Sequence, residues 1–471
     1  MADERPPITF PDGFRWGAAT ASYQIEGGVR EGGRGQSVWD SFSHTEGKVA
    51  NGDTGDVACD HYHRVDDDVA LMADLGLQTY RFSIAWPRVM PDGRGPINPD
   101  GVAFYQRLVD QLLEHGITPC PTLFHWDLPQ ALEDLGGFRN RDTARWFADY
   151  AALMVDELGD RVSMWSTFNE PWVYAFLGHA AGVHAPGLTD PQAAITVAHH
   201  ELLAHGLALQ AMRAVRDDLQ LGIVINSSNI RPEGQPPAPR EQVDLIDAIH
   251  NRWWFDSMLR GEYPAELLRR YSGLADAVQP DDVATIAQPL DWIGINYYFD
   301  VLVRGLTTEE SSESTVVRMP EYPTTTGVTE SPPRDVHTDM GWPITPTGLT
   351  ELLVRLHSEY PGLPPVYITE NGCAYDDPVI DGRCMDPRRI DYLDQHLRSL
   401  LDAIERGVDV RGYFHWSLMD NFEWALGYDK RFGLVHVDFD TLARTPRDSA
   451  SWYRAVINRN GLAATGNNQT A

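Results

Sequence analysis

Apolar residues along the chain fall into two alternating patterns. Short, nearly continuous runs recur at 14–20, 79–86, 117–126, 162–170, 221–228, 290–298, 365–372 and 410–420, rich in β-branched and aromatic residues. Runs of that kind mark parallel strands buried on both faces. Longer amphipathic stretches separate them. Residues 64–75 and 102–115 read as helices, the second stopped by Gly116. Residues 389–406 carry Ile390, Leu393, Leu397, Leu400, Leu401 and Ile404, the three-and-four spacing of a helix with one buried stripe. Strand and helix alternating eight times predicts a single α/β domain, a (β/α)8 barrel of the TIM type with elaborated βα loops. A doubly wound open sheet is the alternative, weakened by the absence of a glycine-rich phosphate loop. No repeat, linker or low-complexity tract divides the chain, so one domain is expected over 1–471, with its core at about 10–455 and a frayed tail at 461–471. Residues 304–339 break the rhythm with Thr, Ser, Glu and Pro. Following the sixth run, they belong on the face where such barrels carry their sites.

Composition narrows the functional classes. The 471 residues are 42% hydrophobic and 23% charged, enough for a large core without cross-links and incompatible with wholesale disorder. Against 38 basic residues stand 68 acidic ones, a net charge of −30. Such a surface repels phosphate backbones and anionic lipid, so neither nucleic acid nor membrane is an expected partner. No run approaches the roughly 18 apolar residues of a membrane span. The start, MADERPPITF, lacks a basic segment leading into an apolar one, and with reduced thiols this reads as a cytoplasmic protein. Cys59, Cys120, Cys373 and Cys384 form no CxxC pair, and a Cys373–Cys384 bridge stays open. The sequons at Asn226 and Asn468 read as chance. HYH (61–63) precedes a helix, where histidines cap or face solvent. HELLAH (200–205) imitates a zinc-protease helix, but its histidines are five apart, about 140° around the helix axis. No metal and no cofactor are expected. Assembly into a homo-oligomer is left open.

Chemistry in this fold gathers at the C-terminal ends of the strands. The first run leads to Gln24 and the second carries Arg81. The third ends in His125 and Trp126, the fourth in Asn169 and Glu170, and the fifth near Asn226. Asn296, Tyr297 and Tyr298 end the sixth, Glu370 and Asn371 the seventh, and the eighth carries Trp416. Glu170 and Glu370 stand out, because burying a carboxylate is costly unless it is paired or used. From strands four and seven they would face each other across the barrel and flank a shared space. Two such carboxyls suit glycosidic-bond cleavage: one protonates the leaving oxygen, the other attacks the anomeric carbon or activates water. Either motif alone is weak, since Asn-Glu-Pro and Glu-Asn-Gly also occur as plain turns. Likewise Trp416 alone reads as core packing, Arg81 as a structural ion pair and His125 as a satisfied core histidine. Their convergence on one mouth favours function. Trp253, Trp254 and Trp292 read as packing.

TFNEP (167–171) and ITENG (368–372) resemble the acid/base and nucleophile motifs of glycoside hydrolase family 1. FPDGFRWGAATASYQIEG (10–27), YRFSIAWPR (80–88), FHWDLP (124–129), GINYY (294–298) and DNFEW (420–424) resemble further signatures of that family, from about Phe10 to Trp452. The resemblance implies a retaining β-glycosidase, foremost a β-glucosidase acting on small β-glucosides and cello-oligosaccharides. It implies Glu370 as nucleophile and Glu170 as acid, then base, with carboxyls about 5–5.5 Å apart. Arg81 and Tyr298 would support Glu370. Asn169 would bond the 2-hydroxyl, and Gln24, His125, Trp126, Glu423 and Trp424 the other hydroxyls. Asn296 would also bind substrate, Trp416 would stack under the sugar, and Trp342 would line the leaving-group side. Both glutamates argue against an inert sugar-binding relative, and Glu170 against a thioglucosidase, which carries Gln there. A charged Glu423 argues against a 6-phospho-β-glycosidase.

Overall fold

The computed structural model describes residues 5–313 and 318–464. Eight parallel strands close into a barrel: β1 (Arg15–Ala19), β2 (Thr79–Ser83), β3 (Thr118–Phe124), β4 (Met164–Asn169), β5 (Gln220–Asn226), β6 (Ile293–Asn296), β7 (Val366–Asn371) and β8 (Val410–Trp416). They pair in chain order, β8 closing the ring on β1 with Tyr413 beside Trp16. Seven of the expected runs contain one of them, and β5 starts one residue ahead of the fifth run. The fourth and seventh strands stand three steps apart round the ring, one short of the diametric placement expected.

Helices follow the strands: α1 (His61–Asp74), α2 (Pro99–Glu114), α3 (Asp142–Leu158), α4 (Pro191–Val215), α5 (Arg240–Asp247), α6 (Pro346–Glu359), α7 (Pro387–Glu405) and α8 (Asp448–Arg459). The three helices expected from periodicity each begin two or three residues earlier than the apolar stripe suggests. In α2 and α7 the reason is proline in the first turn, where its missing N–H costs nothing. That turn is polar, so hydrophobic spacing does not mark it.

One large core packs helices onto the outside of the barrel. A separate cluster holds Cys120, Met164, Val224, Trp292, Tyr367 and Phe414. These come from β3, β4, β5, β7, β8 and the residue before β6, which meet only inside the ring. A Cβ at Gly222 would lie 2.6 Å from the Trp292 ring, so glycine makes room for that indole. Trp253 and Trp254 are buried in the outer core, in line with packing roles.

Two further expectations need revision, and the structure bears on two points left open. Gly461–Leu462 pairs with Ile8–Thr9, so fraying does not begin at 461; residues 465–471, with Asn468, lie outside the described residues. The polar stretch after β6 is partly ordered: Val301–Gly305 pairs with Val328–Glu330, and Thr307 caps a short helix at 308–312. Cys373 and Cys384 are separate buried thiols, the latter donating to the Asp377 carbonyl. The two histidine motifs are structural. Against the expected surface or capping place, His61 is buried in the first turn of α1 and bonds Asp68, while His200 bonds the Phe138 carbonyl and His205 bonds Thr167.

Candidate active site

The strand ends open into a cavity of about 370 Å³. His125, Trp126, Glu170, Asn296, Tyr298, Trp342, Glu370, Trp416, Glu423 and Trp424 all line it. Gln24, Arg81 and Asn169 are buried behind that lining and act on it through hydrogen bonds. Every site residue expected from the sequence therefore meets here.

Arg81, on β2, is fully buried and reaches across the barrel. Its Nη1 donates to Glu370 Oε1 at 2.7 Å and its Nη2 to Asn169 Oδ1 at 2.7 Å. The Tyr298 hydroxyl donates to Glu370 Oε2 at 2.7 Å. Asn296 Nδ2 donates to Glu170 Oε1 at 2.7 Å and to Asn169 Oδ1 at 3.1 Å. Glu370 thus receives a guanidinium and a phenol, whereas Glu170 receives an amide. Burial, then the charge of Glu370, push Glu170 up to about 8. Burial raises Glu370 as well, but Arg81, Tyr298 and Asn296 all act to keep it ionised. One carboxylate and one carboxylic acid in a shared cavity is the pairing glycosidic cleavage requires.

Around them, His125 Nε2 accepts from Asn169 Nδ2 at 2.9 Å, and burial holds the ring well below its usual range. A neutral imidazole accepting at Nε2 carries its proton on Nδ1, which has no partner among the described residues. Trp126 differs from expectation. Its indole N–H is spent on the Asn169 carbonyl at 2.8 Å, so the ring face is what it offers. Gln24 Nε2 donates to Asn421 Oδ1 at 3.0 Å and to the Phe422 carbonyl at 2.8 Å, with Glu423 Oε2 at 3.5 Å. Burial, then the Glu370 charge, push Glu423 up to about 8, which works against the charged form expected. Protonated, it both donates to and accepts from hydroxyls.

Backbone geometry sharpens the site. Trp126, Glu170 and Trp424 have φ of 76°, 46° and 50°, left-handed values that non-glycine residues rarely adopt. Three such residues lining one cavity is the clustering expected where packing over-determines a functional conformation. The sequence reading missed Trp172, His184, Ser227, His250, Glu321, Tyr322 and Glu330, which complete the outer wall. Trp172 stands two residues beyond Glu170, Ser227 falls at the end of the fifth run, and Glu321, Tyr322 and Glu330 fall in the polar stretch expected on this face; His184 and His250 carried no signal.

The family model for glycosyl hydrolase family 1 matches residues 7–462. Beta-glucosidase A of Acetivibrio thermocellus is 45% identical over 458 residues, covering 97% of this chain and 99% of that one. Thermostable beta-glucosidase B of Thermobispora bispora is 51% identical over 463 residues, covering 98% and 93%. Among solved structures, the family 1 β-glucosidase from Thermotoga maritima superposes with a TM-score of 0.89 at 44% identity, covering 97% of this chain and all of that one. Barrel, paired carboxyls and end-to-end similarity agree, and the chain belongs to glycosyl hydrolase family 1.

Proposed function

We propose that this retaining β-glucosidase removes terminal non-reducing β-D-glucosyl residues with Glu370 as nucleophile and Glu170 as acid, then base. The carrying observation is the asymmetry of donors: Arg81 and Tyr298 both bond Glu370, and neither bonds Glu170. Glu370 attacks the anomeric carbon while Glu170 protonates the leaving oxygen. Esterified Glu370 loses its charge, the pKa of Glu170 falls, and Glu170 then takes a proton from the water that frees the sugar. Direct attack requires the two carboxyls about 5–5.5 Å apart. Asn169 keeps one amide N–H for the 2-hydroxyl, since Arg81 and Asn296 already occupy its oxygen. His125 Nδ1, Gln24 and Glu423 take the other hydroxyls, and Trp416 stacks under the ring. The substrates are neutral β-glucosides and cello-oligosaccharides, handled by a single-domain protein in the cytoplasm. The four free, buried thiols support a reducing compartment.

Azide tests the roles. Glu370→Gly loses nearly all turnover, and added azide entering the vacated face gives an α-glycosyl azide. Glu170→Ala still releases good leaving groups, and azide gives the β-glycosyl azide. Swapped products would reverse the roles, and no turnover of any aryl β-glucoside by the parent would leave a binding protein instead.

A further inference from the structure

The cavity continues outward from the two catalytic carboxyls along a wall built by the segment after β6. Glu321, Tyr322 and Glu330 line that half, with Trp172, His250 and Ser227. No lysine or arginine lines any part of the cavity among the described residues. Neither Glu321 nor Glu330 takes part in an ion pair among the described residues, although the surface around them is rich in such pairs. The Trp172 and Tyr322 rings lie 5.3 Å apart at 35°, and the Tyr322 hydroxyl bonds His250 Nδ1 at 3.0 Å. Ser227, 1% exposed, has a hydroxyl oxygen with no partner there, and the same holds for Trp172 Nε1 and His250 Nε2. Buried polar atoms left unpaired in a cavity wall are a cost unless a ligand satisfies them.

From this wall we infer that the leaving-group half of the site is built for an aromatic or extended aglycone bearing a positive charge, such as an ammonium, and rejects one bearing a carboxylate. The inference rests on the β-glucosidase reading, because only a glycoside cleaved at Glu170 places its leaving group there. Aromatic faces and two carboxylates without cations form a surface that attracts an ammonium from both sides. The charged neighbours do not offset it: Arg304, Arg318 and Arg334 of the same segment are paired with Glu310, Glu313 and Glu233. Burial holds Tyr322 as the phenol and His250 down to about 4, so neither supplies a positive charge at neutral pH. Burial, with the Glu330 charge adding to it, pushes Glu321 up to about 7, and burial raises Glu330 as well, so the preference for a cation strengthens as pH rises through neutrality.

The test uses 4-(aminomethyl)phenyl and 4-carboxyphenyl β-D-glucosides, with β-D-glucosyl fluoride as a substrate whose leaving group is too small to reach the outer wall. The ratio of kcat/KM for the two aryl substrates cancels the ionisation of Glu170 and Glu370, which both share. Expected is a ratio of about tenfold for the cationic substrate, growing from about pH 6 to about pH 8. In Glu321→Gln/Glu330→Gln that ratio falls several-fold and its pH dependence flattens, while turnover of the fluoride is unchanged. A ratio near one at the higher pH, with the fluoride still cleaved, overturns the inference and leaves the glucosidase reading standing. Failure to cleave the fluoride as well removes that reading and the inference with it.

Discussion

Glu170 and Glu370 share a cavity, yet each is tuned by what donates to it. Tyr298 gives Glu370 one bond of 2.7 Å to a charged acceptor. Such bonds are worth about 1.5–3 kcal/mol. Tyr298→Phe is expected to lower kcat/KM by roughly tenfold or more and to move its acid limb upward, because the hydroxyl favours ionised Glu370. A purely structural loss would lower the rate without moving that limb. The coupling runs the other way as well. After burial, the Glu370 charge is what raises Glu170 to about 8. In Glu370→Gln, therefore, Glu170 is expected to titrate below that value when its labelled carboxyl is followed by NMR. An unchanged titration would sink the proposed cycling of Glu170 between acid and base.

Elements hold these residues still. The loop after β8 carries Glu423 and Trp424, and Asp420 anchors its start. Asp420 is fully buried and accepts from Arg447 Nη1 and Nη2 at 2.9 Å each and from Arg431 Nη1 at 2.9 Å. Burial opposes its charge, but the arginines win and hold its carboxyl below the usual range. Asp420→Ala would strand buried guanidinium charge, at a cost of about 3–5 kcal/mol in denaturant-measured stability. Because the folded pKa is lowered, this contribution is present above the unfolded value of about 3.9 and fades as pH falls through the folded one. The gap between parent and variant should therefore narrow in acid. What the sequence shows of all this follows from the same elements. Barrel strands are buried on both faces, so their runs are visible, and Glu170 and Glu370 stand out as carboxyls at the ends of such runs. Glu321, Tyr322 and His250 have no such frame. The first two sit in an aperiodic segment and His250 in the helical stretch continuing α5, and only packing brings them to the wall. Nor does residue type reveal that the Trp126 N–H is already spent or that burial raises Glu423.

For the whole molecule, the net charge of −30 is a property of the surface, while the inner site is set by its own balance. There one guanidinium, Arg81, stands among three carboxyls, Glu170, Glu370 and Glu423. Arg81 pairs with Glu370, and the other two titrate at about 8. At neutral pH the inner cavity thus stores exchangeable hydrogen ions at Glu170 and Glu423. A sugar mimic carrying a positive charge would favour their ionised forms, and by linkage its binding expels hydrogen ions into the surrounding buffer. Titration calorimetry at about pH 7 should give an apparent enthalpy that varies with the ionisation enthalpy of the buffer, with a slope of up to about two ions released. A neutral mimic of the same shape should give a slope near zero. Affinity for the charged mimic should accordingly climb with pH until both acids are ionised, so inhibition of this enzyme is itself a readout of how acidic its surroundings are.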